Sequence, residues 1–181
     1  MTPEPTPSQT IGPFFHDALL DEDRSELVPP DHPRAIRIEG KIVDGAGDPV
    51  PDAMVELWQA DESGRYAGPA NDPATFSDFG RTGTDAEGRY SFVTVKPGPV
   101  PDGSQQAPHV TVSIFARGLL KRLITRIYFP DEGESNARDP LLSSIEDKQL
   151  RETLLARDEG EGALRFDVRL QGDDQTAFFE L

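Results

Sequence analysis

The sequence predicts an all-β protein: an antiparallel β-sandwich with one short helix and an extended N-terminal arm. Three observations lead there. Apolar and polar residues alternate in short runs, as in Val110, Val112 and Ile114 against His109, Thr111, Ser113, Phe115 and Arg117, which is the period of a half-buried strand. Gly- and Pro-rich connections separate these runs, as turns between strands require. Helical spacing of apolar residues is confined to one stretch near residue 150.

Taken in order, residues 1–35 carry Pro at 3, 5, 7, 13, 29, 30 and 33. Proline supplies no amide to a sheet and disfavours helix, so this segment reads as an arm. Its Ile11, Phe14 and Phe15 would be a liability on a free tail and are expected to dock on a partner. The sandwich domain spans 36–181. Ile36, Ile38 and Ile42 alternate with Arg37, Glu39 and Lys41, a turn at 44–49 follows, and Val55 and Leu57 resume the pattern. A long aperiodic loop after Trp58 exceeds the usual connection, and such loops are generally functional. Further strands are expected at 90–95, from His109, at 123–129, across Leu164, Phe166, Val168 and Leu170, and at 176–179. Ser143 to Glu146 resembles a capping box, opening a helix that carries Ile145, Leu150, Leu154 and Leu155 and ends near Arg157, as a lid on one edge of the sandwich.

The bulk numbers exclude several classes. With 18 Lys and Arg against 33 Asp and Glu the chain carries −15, which repels nucleic acid and anionic membranes at long range. There is no Cys, hence neither disulfide nor thiolate metal site, as expected of a cytoplasmic protein. No apolar run approaches the roughly 20 residues needed to span a bilayer, and the first residues lack the pattern of a signal peptide.

Taken together, TPSQTIGPFFH, the stretch from Gly47 through VELWQAD to Arg65-Tyr66, RTGTDAEGRYSFVTVKPGPVP and APHVTVSIFARG resemble the intradiol ring-cleavage dioxygenases over most of the chain. The resemblance implies a ferric ion held by two tyrosines and two histidines, with an arginine just before the histidine pair. Laid on that pattern, Tyr66 and His109 match ligand positions, Val100 and Thr111 replace the second Tyr and second His, and Gln106 replaces the Arg. Ferric iron is a hard cation that favours anionic oxygen, so Val100 removes charge as well as a donor, while Thr111 offers a neutral hydroxyl. Rescue by Asp102 is disfavoured. On residue chemistry alone, His109 reads as a hydrogen-bonded strand residue, Tyr66 as a packing residue, and His16 and His32 as surface groups.

The resemblance therefore implies a subunit that binds no metal itself. It would pair with an iron-bearing beta subunit of like fold, and the complex would cleave 3,4-dihydroxybenzoate (protocatechuate) with dioxygen to 3-carboxy-cis,cis-muconate. By the same resemblance Thr10, Gly12 and Pro13 of the arm, together with Arg117, would contribute to the partner's substrate pocket. Two alternatives stand beside it: a dioxygenase with substituted ligands, and a transthyretin-like sandwich that binds or scaffolds without catalysis. The arm motif and Trp58-Gln-Ala-Asp argue against the latter, since a generic sandwich needs neither.

Overall fold

The computed structural model describes residues 10, 12, 18–66, 76–100, 103 and 105–180. Nine strands lie among them: β1 (Ala35–Val43), β2 (Met54–Gln59), β3 (Phe79–Gly83), β4 (Arg89–Val95), β5 (His109–Phe115), β6 (Leu123–Tyr128), β7 (Arg157–Gly160), β8 (Ala163–Arg165) and β9 (Val168–Arg169). They form two sheets, one ordered β3-β2-β5-β6 and the other β4-β1-β8-β7 with β9 also on β1. The alternation expected from the sequence sets the layers. Val55 and Leu57, Val110, Val112 and Ile114, and Ile127 face Ile38, Ile42, Phe92, Leu164 and Phe166 across one buried core. Burying such side chains contributes about 1.5–3 kcal/mol each.

Two pairings differ from a purely antiparallel sandwich: β8 and β9 run parallel to β1. The run from Leu164 to Leu170, expected as one strand, is interrupted at Phe166 and Asp167. There the Phe166 amide donates to the Glu39 carbonyl at 2.8 Å and Asp167 accepts from the Lys41 amide at 3.0 Å. Gly40 permits this approach, because a Cβ at that position would stand 1.8 Å from the Phe166 carbonyl oxygen. Residues 176–179, also expected as a strand, are irregular.

The arm ends earlier than residue 35. Arg24 and Arg81 exchange backbone bonds of 3.1 and 3.0 Å, the Leu27 amide donates to the Val93 carbonyl at 2.8 Å, and Leu27 is buried. The prolines leave a gap between 13 and 29, and the amides in that gap are free to pair. Of the predicted docking residues, Ile11, Phe14 and Phe15 lie outside the described residues.

The single expected helix is three short ones: α1 (Gly133–Arg138), α2 (Pro140–Ser144) and α3 (Lys148–Glu152). Asp139 and Asp147 cap the second and third, and Ser143 caps none of them. Asp139 accepts from the Leu141 and Leu142 amides, with Pro140 at the first helical position, whereas Ile145 is extended at φ −88°, ψ 107°. The apolar stripe still finds its place. Ile145, Leu150 and Leu155 pack around Ala107, Tyr128, Leu142, Leu154 and Ala177, a small second core against β6.

Candidate functional site

The side of β3-β2-β5-β6 turned away from the core brings the family's ligand positions together. Register places Trp58 of β2 between Phe79 of β3 and Thr111 of β5, and Thr111 beside Arg126 of β6. His109 is opposite Tyr128. Two loops complete this face. Asp61 accepts from the Ser63 and Arg65 amides and closes a tight turn, and the Asp61 carbonyl accepts from the Gly98 amide at 2.9 Å. Gly64, at φ +79°, lets the turn touch the next loop: a Cβ would stand 1.9 Å from the Pro99 carbonyl oxygen and 3.2 Å from the Val100 Cα. Tyr66 leaves this turn and lays its ring on Trp58, centroids 4.8 Å apart. Trp58 in turn donates from Nε1 to Asp78 at 3.2 Å.

His109 is 5% exposed. Its Nδ1 lies 2.8 Å from the Ala107 carbonyl oxygen, which can only accept, so Nδ1 carries the proton. Burial, and then the Arg126 charge, holds the ring below the usual histidine range. It is a neutral, backbone-anchored imidazole.

Arg126 was not singled out by sequence reasoning, yet it ties this face together. Its Nη1 donates to Gln106 Oε1 at 3.0 Å and to the Tyr128 hydroxyl at 3.4 Å. A charged residue between inward Thr125 and Ile127 on the strand following His109 was the available signal. Tyr128 is fully buried, and burial pushes its hydroxyl up to about 12 despite the neighbouring guanidinium. That hydroxyl donates to Asp139 at 3.3 Å, and the second oxygen of Asp139 accepts from the Ala107 amide at 2.8 Å. One buried carboxylate thus joins the helix cap, β6 and the loop that carries Gln106.

These residues do not fit a ferric ion. Val100 has no donor atom, Thr111 has a neutral hydroxyl, and the Tyr66 ring is tilted against Trp58 at 40°. Among the described residues no group of three or more His, Asp or Glu is placed to hold a metal. Asp102 lies outside the described residues.

The other predicted contributors lie elsewhere. Arg117 follows the end of β5, its side chain 65% exposed, and its Nε donates to Asp52. It borders an open cleft of about 1250 Å³, with Lys121, Arg122, Leu119, Leu170 and Phe178 among its walls. Thr10 is exposed, and Gly12 takes φ +70°. Pro13 and His16 lie outside the described residues. His32 Nδ1 accepts from the Arg34 amide at 3.3 Å, a turn role.

The sandwich, the collected ligand positions and their altered donor set define a class. The chain belongs to the intradiol ring-cleavage dioxygenases: the family model described as Dioxygenase matches residues 11–172. A protocatechuate 3,4-dioxygenase alpha chain from Pseudomonas putida is 42% identical over 97% of this chain and 96% of its own length. A beta chain of that name from Burkholderia cepacia is 33% identical over 93% of this chain and 77% of its own length. Among solved structures, the dioxygenase domain of a dioxygenase carbohydrate-binding protein fusion from Streptomyces sp. SirexAA-E covers 96% of this chain and 100% of its own, at 28% identity and TM-score 0.59. An unrelated transthyretin-like module is thereby set aside.

Proposed function

We propose that this chain is the alpha subunit of a protocatechuate 3,4-dioxygenase, a hetero-oligomer whose ferric ion is held by the beta chain. The observation that supports this best is a ligand set lost at Val100 and Thr111, in a chain that matches alpha chains along nearly its whole length. The chemistry of ring opening then belongs to the partner, and this chain contributes binding. Thr10, Gly12 and Pro13 supply part of the wall of the partner's pocket. Arg117 supplies a guanidinium for the substrate carboxylate, which offsets the repulsion that a −15 chain exerts on an anion.

The test is to purify the chain alone and co-expressed with its beta chain, then to measure iron, visible tyrosinate-to-iron absorption and oxygen uptake with protocatechuate. The complex should be iron-loaded, coloured and active, and the chain alone colourless and inactive. An iron-loaded, active isolated chain would overturn the reading.

A further inference from the structure

The open cleft beside Arg117 carries a charge pattern that the rest of the chain does not. One wall is the β5–β6 connection, which turns at Gly118 (φ +84°) and sets Arg117, Lys121 and Arg122 along one rim. Elsewhere Arg81, Arg89, Lys96, Arg157 and Arg165 each hold a carboxylate at 2.6–2.9 Å, and Arg117 holds Asp52. Among the described residues Lys121 and Arg122 have no such partner, although acidic residues outnumber basic ones by 33 to 18. The cleft wall also carries Asp44 and Glu180, and Asp44 already accepts from the Ala46 and Asp48 amides at 2.9 Å.

The floor is apolar. Leu119, Leu123, Leu170 and Phe178 pack on the end of the main core and stay partly exposed. Leu120, between Leu119 and Lys121, is 60% exposed, the highest value among the large apolar side chains described. Phe178 is held without a strand: the Thr125 hydroxyl donates to the Ala177 carbonyl at 2.7 Å, and the Phe179 amide donates to the Ile124 carbonyl at 2.8 Å. The cleft is thus preformed, and binding there has little backbone left to order.

We propose that this cleft docks the beta chain, receiving from it a large apolar side chain flanked by carboxylates. The proposal rests on the alpha-subunit reading and names a surface that joins the two chains. An apolar centre with a charged rim is the anatomy of a protein interface. Two cations without counterions select an acidic segment, since a basic one would meet like charge. Nucleic acid and anionic membranes could use the same rim, but a net charge of −15 repels them. The cleft also adjoins Arg117, so docking and the contribution to the partner's pocket fall on one continuous face.

The experiment uses the full chain co-expressed with its beta chain, in four forms: the parent, Lys121→Glu/Arg122→Glu, Leu120→Asp, and Arg138→Glu/Lys148→Glu as a charge-matched control on the helices. Dissociation on dilution is followed by light scattering at low and high salt, and the melting temperature of each isolated chain checks folding. Residues 120–122 are exposed, so melting temperatures should match the parent's. Reversal at 121 and 122 should weaken assembly at least about 30-fold at low salt and less at high salt, Leu120→Asp about 10-fold at either, and the control less than about 3-fold. A complex of either test variant as tight as the control's would overturn the proposal. So would a charge reversal that abolishes self-association of the isolated chain, or its binding of protocatechuate in a titration, while assembly with the beta chain is intact. The occupant would then be a second copy or a small aromatic acid. A parent chain that never joins its beta chain, or that is itself iron-loaded and active, would instead remove the alpha-subunit reading, so the two failures are distinguishable.

Discussion

Replacing Asp139 should separate two jobs that one buried carboxylate performs. Asp139 is fully buried and accepts from the Leu141 and Leu142 amides at 2.9 and 3.0 Å as a helix cap, and from the Ala107 amide at 2.8 Å. Losing a cap costs about 1 kcal/mol. Leaving the Ala107 N–H buried without an acceptor costs about 1–3 kcal/mol more. Asp139→Ala should therefore destabilise the chain by about 3 kcal/mol, or about 6–12 °C in melting temperature for a domain of this size. Asp139→Asn should cost about 2 kcal/mol, because its carbonyl can still cap while its amide N–H faces the Ala107 N–H. Urea unfolding of the two variants and the parent measures both numbers. Hydrogen exchange at Ala107 should accelerate in both variants. If Asp139→Asn proves as stable as the parent, or if Ala107 exchange is unchanged in Asp139→Ala, the bond that ties the Gln106 loop to the helices is not holding that loop.

Three further outcomes are expected. Because His109 titrates below its unfolded value, the unfolded chain binds its proton first, so stability is lost as pH falls below about 6.5, by at most about 1.4 kcal/mol per unit; a stability gap between the parent and His109→Gln that stays constant from pH 7 to 5 would contradict this. Arg117→Ala in the complex should lower kcat/KM for protocatechuate by less than about 5-fold and mainly through KM, as suits an exposed guanidinium already paired with Asp52. The loss should shrink for catechol and at high salt, and equal losses for both substrates would point to packing instead. Deleting residues 1–15 should leave the melting temperature of the isolated chain unchanged and damage assembly or turnover of the complex; an intact, fully active truncated complex would refute the arm's role.

Much of the sandwich was legible because its central strands obey a local rule. Val110, Val112 and Ile114 alternate strictly, and burial follows the alternation. The parallel docking of β8 and β9 on β1 was not legible, since no local pattern records which distant strand a segment meets. The helical region was misjudged for a different reason. Ser143 offered a plausible cap, but the carboxylates of Asp139 and Asp147 are stronger acceptors, and they broke one stripe into separate turns. At the site, the missing ligands could be read from Val100 and Thr111. Arg126 could not be read in the same way, because its significance comes from the β5-β6 register, which sets it beside Thr111.

The position of β1 also governs how the chain can mature. It is flanked by β4 on one side and by β8 and β9 on the other, and the contact of Lys41 with Asp167 joins residues 126 apart in sequence. A nascent chain can zip β1 to β4 early, but the other edge of β1 stays open until β8 and β9, more than 120 residues later, have left the ribosome. Closing so large a loop is slow, and an exposed strand edge invites pairing with another chain. Loss of the last strands would thus do more than trim the molecule. It would leave its central strand unzipped on one side, with an open edge for another chain to pair with.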